Sequence, residues 1–508
     1  MKDFIHFEAE DGFVGDPLPL YHDGVYHIYY NKIYKSEKLD KPQDKDICVG
    51  WGHISTKDWI HYTEHPDAFK NWIRWCDISS LTIPVNSGCV FFGEGKFHAY
   101  FAGVDEEGNG LIRHAVSEDG IAFGESEVAF SHPGKWFEDK PGYPFGWRDP
   151  IVAYDEEKEL YHMLFQASIK DTSENREIAC YPSVIGHAVS KDLYRWTCLE
   201  PLSLQGVGAT LECPDLFRDG DKWILGYYWQ DTRFRWSYTM DGPWNRCAVM
   251  SPDHYGLQAA RQMYDGKDRY LLGWIPNKDC YCSEENKHMH LAFPRILRIA
   301  EDGTPQTMFA PVLWQLFSEP VPLDKWRCQR SANSMWTQTD GGWAFDVCEG
   351  GSIIYHPNMP QNYAMRFTLT MDSPYGVVNL ILGAHHKDGT GLTDTGYMLI
   401  WDSAAQMLRL RHQYLWDQTI DIMAIHYDFQ PGVPVDMEIL VHNGILEVSI
   451  DHTQTMIGRM PDYVPGGIAF QVQDVKGIIQ NLQVYDRNKD LEDESLYNKI
   501  TTDKETIK

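Results

Sequence analysis

Tyr21-His-Asp-Gly-Val-Tyr-His-Ile-Tyr-Tyr30 decides the fold. Asp-Gly is a tight-turn pair, and the aromatics beyond it alternate with a period of two, as on a β-hairpin. The unit returns four times. It is seen as Phe92-Gly-Glu-Gly-Lys-Phe-His-Ala-Tyr-Phe101 and Asp155-Glu-Glu-Lys-Glu-Leu-Tyr-His-Met-Leu-Phe165. It is seen again as Arg218-Asp-Gly-Asp-Lys-Trp-Ile-Leu-Gly-Tyr-Tyr228 and Tyr264-Asp-Gly-Lys-Asp-Arg-Tyr-Leu-Leu-Gly-Trp274. Successive turns lie about 46 to 71 residues apart, the length of one four-stranded blade. A second element follows four of the hairpins: Ser55-Thr-Lys-Asp58, Ser117-Glu-Asp119, Ser190-Lys-Asp192 and, more weakly, Thr239-Met-Asp241. Each precedes an aromatic (Tyr62, Phe123, Trp196, Trp244) and reads as the turn into an outer strand. Five such units predict a five-bladed β-propeller over residues 1–310, a ring that leaves only short edges exposed.

Beyond about residue 320 the Ser-x-Asp element stops. Plain alternating strands replace it: Tyr363-Ala-Met-Arg-Phe-Thr-Leu-Thr370, Gly396-Tyr-Met-Leu-Ile-Trp401, Met437-Glu-Ile-Leu-Val441 and Ile445-Leu-Glu-Val-Ser-Ile450. His442-Asn-Gly444 is a turn between the last two. The pattern predicts a β-sandwich over residues 326–486. Pro311, Pro320 and Pro322 mark a linker at 311–325, and residues 487–508 read as a charged tail. The whole chain is thus expected to be all-β.

Composition narrows the partners. A net charge of −28 over 508 residues repels phosphate backbones and anionic lipid, so neither nucleic acid nor a membrane surface is expected to bind. A small carbohydrate substrate fits the heavy aromatic content, 13% with 18 Trp. The first residues hold no long apolar run, and the 11 Cys are scattered without paired spacing. Both features point to a cytoplasmic protein with reduced thiols. The sandwich offers a surface for homo-oligomer contacts.

In a propeller the inner strand of each blade runs beside the channel, just ahead of its hairpin. Counting back eight residues from Gly24, Gly95, Gly220 and Gly266 gives Asp16, Ser87, Glu212 and Gln258. In the third unit Asp149 lies nine residues before Lys158. Five repeats therefore place five polar groups near one level of the funnel, and three are carboxylic acids. Asp16 and Asp149 each precede Pro, and Asp-Pro is a common turn pair. Turn residues have no reason to keep repeat register, however. Three carboxyl groups around one mouth repel each other, so one stays protonated while others ionise. That is what glycosidic cleavage needs: an acid for the leaving oxygen and a carboxylate to attack the sugar carbon.

These residues bring a family into view. The chain resembles glycoside hydrolase family 32, the invertase and fructan-hydrolase group. Trp147-Arg-Asp-Pro150 resembles its Arg-Asp-Pro motif and Leu211-Glu-Cys-Pro214 its Glu-Cys-Pro motif. Val49-Gly-Trp-Gly-His-Ile-Ser55 with Lys57-Asp58 resembles its Trp-Gly-His stretch, and Asn86-Ser-Gly-Cys89 its Ser-Gly-Ser. Leu272-Gly-Trp274 and Phe293-Pro-Arg295 follow in the family's order. The resemblance implies Asp16 as nucleophile, Glu212 as acid/base, and Asp149 with Arg148 as stabilisers of the transition state. It places Trp51, Ser87 and Trp274 around the sugar bound at the nucleophile. Asn31 stands where the family has a glutamine. Gln258, which the repeat register selects, joins them as a candidate substrate contact. The expected reaction is cleavage of a terminal β-fructofuranosyl linkage in a short oligosaccharide, through a covalent Asp ester, without metal or cofactor.

The first motif departs from the family. Asn-Asp-Pro-Asn-Gly is here Gly15-Asp-Pro-Leu-Pro19, so the amide beside the nucleophile is gone while the acids remain. That argues for retained hydrolysis with altered substrate fit. Cys280-Tyr-Cys282 and His288-Met-His290 lie across a hairpin, but their spacing is not that of a standard zinc site. Other readings are an inverting five-bladed arabinosidase or xylosidase of family 43, a fructosyltransferase, or a carbohydrate-binding protein without turnover.

Overall fold

The computed structural model describes residues 4–34, 46–74, 87–104, 110–131, 135–137, 147–169, 183–202, 204, 211–276, 289–328, 334–384, 386–387, 391–392, 396–415, 418–491 and 497–499. The chain forms two compact units. The first is Met1–Pro252, Leu257–Gln306 and Glu494–Lys508; the second is Asp253–Gly256 and Thr307–Asp493. Among the described residues, no helix is long and apolar enough to cross a membrane.

The first unit is a five-bladed propeller. Its blades open with the strands Gly12–His22, Gly88–Gly93, Arg148–Asp155, Glu212–Asp219 and Gln258–Tyr264. Each opening strand pairs antiparallel with the next strand in sequence, and each blade continues outward as a meander. The opening strands of neighbouring blades touch in order, and the fifth returns to the first, so they form the inner ring. The turns behave as their residues require. Asp23 and Gly24 both have positive φ, 47° and 78°, the twist that joins two strands by a two-residue loop. Near the chain start, Leu291 N–H donates to the Phe7 carbonyl at 3.0 Å and the Phe4 ring stacks on Tyr62, so this segment touches blades five and one.

The repeated Ser-x-Asp element is a hydroxyl–carboxylate turn. The Ser117 hydroxyl accepts the Gly120 N–H at 3.0 Å, and Asp119 accepts the N–H groups of Ile121 and Ala122. Ser190 and Asp192 repeat this in blade three. In blade one the hydroxyl belongs to Thr56, not Ser55: Trp59 N–H donates to Thr56 at 2.9 Å, whereas the Ser55 hydroxyl meets His65. The spacing to the acid is therefore two residues in all three blades.

Three blades also bury a histidine pair between their second and third strands. The ring nitrogens are 3.1 Å apart in His27–His53, 2.9 Å in His98–His114 and 2.8 Å in His162–His187. Burial lowers all six, His27 and His114 to about 4 and His187 to about 3. The Asp155 carboxylate, 3.6 Å from His162, opposes this in its pair. An unfolded histidine titrates near pH 6.5. Between that pH and about 4 the unfolded chain binds more protons than the folded one, so stability falls as pH falls. At pH 5 the loss is about 1–2 kcal/mol for each strongly lowered histidine. Thermal melts should show Tm dropping steadily from pH 7 to pH 5; a level Tm over that range would contradict this.

In the second unit two antiparallel sheets share one apolar core. The strand Tyr363–Met371 turns Tyr363, Met365, Phe367 and Leu369 inward; Gly396–Asp402 supplies Tyr397, Leu399 and Trp401 from the other sheet. The Phe367 and Trp401 rings meet edge to face at 5.8 Å. The sandwich strands fall where alternation placed them, including Ile445–Ile450 after a turn in which Asn443 and Gly444 have positive φ. The stretch expected as linker is structured: Leu313–Leu316 is a single helical turn, and Phe317–Pro320 pairs with the strand Lys476–Arg487. Pro320 is tolerated because it ends an edge strand. The charged tail is also partly paired: Tyr497–Lys499 lies parallel to Tyr62–Glu64 of blade one. Sequence offered no sign of this, since three residues are too few to show alternation.

Candidate active site

The inner strands carry a shared irregularity. Register with the second strand slips between Val14 and Pro17, Arg148 and Ile151, Glu212 and Asp215, and Gln258 and Arg261. Such a bulge leaves residues unpaired and re-aims their side chains. In three blades the second residue of the bulge, Asp149, Cys213 or Ala259, has positive φ, 57°, 44° and 47°. For residues with a Cβ that conformation is strained and persists only where surroundings enforce it. The three acids do not occupy one register position. Glu212 opens its bulge, Asp149 is second in its own, and Asp16 is third, while Ser87 stands just ahead of its strand. Counts of eight or nine from the hairpin turn thus mapped onto different positions of one bulge, because the glycine sits second in the Asp23-Gly24 turn and first in the Gly220-Asp221 turn, and the inner strands differ by a residue between bulge and turn.

Asp16 gathers donors from four blades. Its Oδ1 accepts Trp274 Nε1–H at 2.8 Å. Its Oδ2 accepts the Ser87 hydroxyl, the Cys213 thiol at 3.4 Å and the Asn31 amide at 3.5 Å. The Asn31 amide sits closer to the Ser87 oxygen, at 2.6 Å. A carboxylate held this way is fixed in orientation.

Glu212 is partly open, with 31% of its side chain exposed. Burial of its surroundings raises its pKa; the Arg148 guanidinium, ion-paired to Oε1, lowers it, and Asp149 and Asp16 push it up again. Asp149 is buried. Its carboxylate accepts the Cys213 N–H at 2.9 Å and lies 3.5 Å from Arg148 Nε. Burial raises Asp149 as well, against Arg148. The result is one anchored carboxylate, one partly exposed acid held toward its protonated form, and a third carboxyl with an arginine between them. Such a set can attack a carbon on one side and protonate a leaving oxygen on the other.

Asp16, Asn31, Ser87, Arg148, Asp149, Glu212 and Trp274 come together as the sequence implied. Gln258 pairs in register with Trp274, which puts it on the same side of the sheet. Trp51 is a correction. It pairs opposite Asn31, but its ring is fully buried among Phe69 and Phe101 and presents no face to a sugar. A Cβ at Gly88 would lie 2.9 Å from the Trp51 ring, so Trp51 backs the segment carrying Ser87. Large aromatics win core positions where two blades meet, whatever motif contains them. Two contributors went unread: the Cys213 thiol on Asp16, and Arg261, a lone charge in the inner strand Gln258–Tyr264. A charge amid apolar inner-strand residues was the available signal for the second. Asn86 and residues 277–288, with Cys280, Cys282 and His288, lie outside the described residues.

Residues 6–311 match the profile of the "Glycosyl hydrolases family 32 N-terminal domain". An invertase of Schizosaccharomyces pombe is 27% identical over 240 residues, 44% of this chain and 37% of that protein. An insoluble beta-fructofuranosidase isoenzyme of Arabidopsis thaliana is 22% identical over 321 residues, 54% of this chain and 52% of that one. The match thus spans between a third and about half of these relatives' length. Among solved structures, a sucrose-6-phosphate hydrolase from Lactobacillus gasseri aligns with a TM-score of 0.67 at 16% identity, covering 96% of this chain and 93% of that one. An exo-inulinase from Aspergillus awamori aligns at 0.66 and 16%, covering 95% and 98%. At those identities the structural likeness speaks for the fold.

Proposed function

The chain belongs to glycosyl hydrolase family 32, and from that premise we propose that it hydrolyses terminal β-fructofuranosyl linkages with retention of configuration. The observation that carries this reading is the carboxylate of Asp16, aimed by Trp274, Ser87, Asn31 and Cys213, in the same site as an acid, Glu212, that burial holds toward protonation. Asp16 attacks the anomeric carbon while Glu212 protonates the departing oxygen. The fructosyl ester on Asp16 is then opened by water, which Glu212 deprotonates. Arg148 and Asp149 face the sugar's hydroxyls and the charge that develops on its ring.

The substrate is read from Gly15. A side chain there would begin 3.2 Å from the Asn31 Cβ, so bulk at residue 15 competes with the inward position Asn31 takes. The Asn31 amide, in turn, is engaged by Ser87 and is not free to replace a lost donor toward a sugar hydroxyl. A fructose unit held by one donor fewer binds more weakly in every fructoside. Substrates with further sugar units recover that loss through added contacts, so a short fructose oligosaccharide is favoured over sucrose. Measuring kcat/KM on sucrose and on short inulin- and levan-type oligosaccharides tests this. Sucrose leading by tenfold or more would contradict the substrate reading. NMR of the first-formed fructose anomer tests retention separately, and an inverted product would contradict the double displacement. Sugar-to-sugar transfer products at high substrate would show the same ester being taken by a hydroxyl instead of water.

A further inference from the structure

Arg261 has no part in the scheme above, yet it is a fully buried cation on the floor of the site. It projects from the inner strand of blade five. Its Nη1 donates to the Gly88 carbonyl in blade two and its Nη2 to the Asp149 carbonyl in blade three, the latter at 3.2 Å. Both carbonyls belong to segments that carry site groups. Gly88 follows Ser87, the hydroxyl donor to Asp16, and the Asp149 carbonyl sits on the strained residue of its bulge. One planar fork thus ties together two inner strands that are not neighbours of its own. No lysine reproduces two such fixed donors.

We propose that Arg261 is a positioning residue that holds Ser87 and Asp149 in their places around Asp16 and keeps the floor of the site cationic. The inference rests on the hydrolase reading for its kinetic test. The groups facing Arg261 are Asp149 from blade three, Cys213 and Asp215 from blade four and Cys89 from blade two. Burial raises all four, and Arg261 is a lowering influence on each. Arg148 also lowers Asp149 but is engaged with Glu212 as well, and Arg269 also lowers Asp215. Removing the Arg261 charge leaves Asp149 and Asp215 buried with less compensation, so their protonation moves to higher pH.

The test compares Arg261→Met, Arg261→Lys and Arg235→Met with the wild-type enzyme, using the best fructoside of the panel. Arg235 is a second buried arginine, bonded to Tyr227 and the Trp244 carbonyl within blade four, and serves as the control for lost packing. Arg261→Met should lower kcat roughly 30- to 100-fold, the scale of a small misplacement of reacting groups, with KM within about threefold. Its acidic limb of kcat/KM should move up by roughly half a pH unit or more. Arg261→Lys should restore the limb but not the full kcat. Arg235→Met should lower Tm and move neither. Wild-type kcat and an unmoved limb in Arg261→Met, or changes equal to those of Arg235→Met, would overturn the proposal. Should Arg261→Met not fold, Arg261→Lys decides: a kcat equal to wild type overturns it. If the wild type cleaves no fructoside, the hydrolase reading fails on its own. Arg261 is then decided by carboxyl NMR on aspartate-labelled protein, with Asp149 assigned through Asp149→Asn. An upward shift of its titration in Arg261→Met supports the role, and an unchanged one refutes it.

Discussion

Asp16→Asn is expected to lower kcat by roughly five orders of magnitude while leaving the fold intact. The amide has the volume of the carboxylate and keeps one oxygen for Trp274 or Ser87, so the donors that orient Asp16 retain part of their partner. What it loses is the anionic oxygen whose attack forms the ester. Because that bond forms in the first step, a better leaving group does not help: an aryl fructoside with a leaving group of low pKa should remain uncleaved. Tm within a few degrees of wild type would accompany the loss. Turnover within tenfold of wild type would show that some other group attacks the sugar.

Glu212→Gln and Glu212→Ala should each cost several orders of magnitude on a sugar leaving group, for a different reason. Glu212 is needed only where the departing oxygen must be protonated or water activated. On an activated aryl fructoside Glu212→Ala should therefore regain much of the first step and then stall at the ester. A burst of aryl product followed by a slow steady state is the expected trace. Equal losses on both substrates would place the acid elsewhere. The ion pair with Arg148 gives a further handle. Arg148 lowers Glu212, so Arg148→Met should move the alkaline limb of kcat/KM upward, because the acid then keeps its proton to higher pH.

The architecture was legible because it is local and repeated. Asp-Gly and Glu-Gly turns followed by period-two aromatics state a hairpin without help from distant residues, and five copies state a ring. The Asp16, Asp149 and Glu212 set was legible for the same reason, by counting from those turns. The failures are where tertiary context decides. Trp51 carries a motif suited to a sugar wall, but burial against Phe69 and Phe101 put it behind the site. Phe317–Pro320 is too short and proline-rich to look like a strand, and it is one only because Lys476–Arg487 offers an edge. Arg261 reaches carbonyls 173 and 112 residues away in sequence, contacts no window of residues can show.

The four bulges have a consequence for how such a site changes over generations. Each is a backbone feature supplied by the blade, and each holds a different residue at its centre: Gly15-Asp16, Asp149-Pro150, Cys213-Pro214 and Ala259-Ala260. The scaffold thus provides sockets of one backbone kind with different contents. Ladder pairing resumes within a few residues on either side of each bulge. Gly15 is one of those contents. On the proposed function it alters the grip on the sugar beside Asp16, while Asp149 and Glu212 in neighbouring sockets keep their bonds. Altered specificity is therefore expected from substitutions at the bulge positions that hold no acid, such as Gly15, with Asp16, Asp149 and Glu212 left in place.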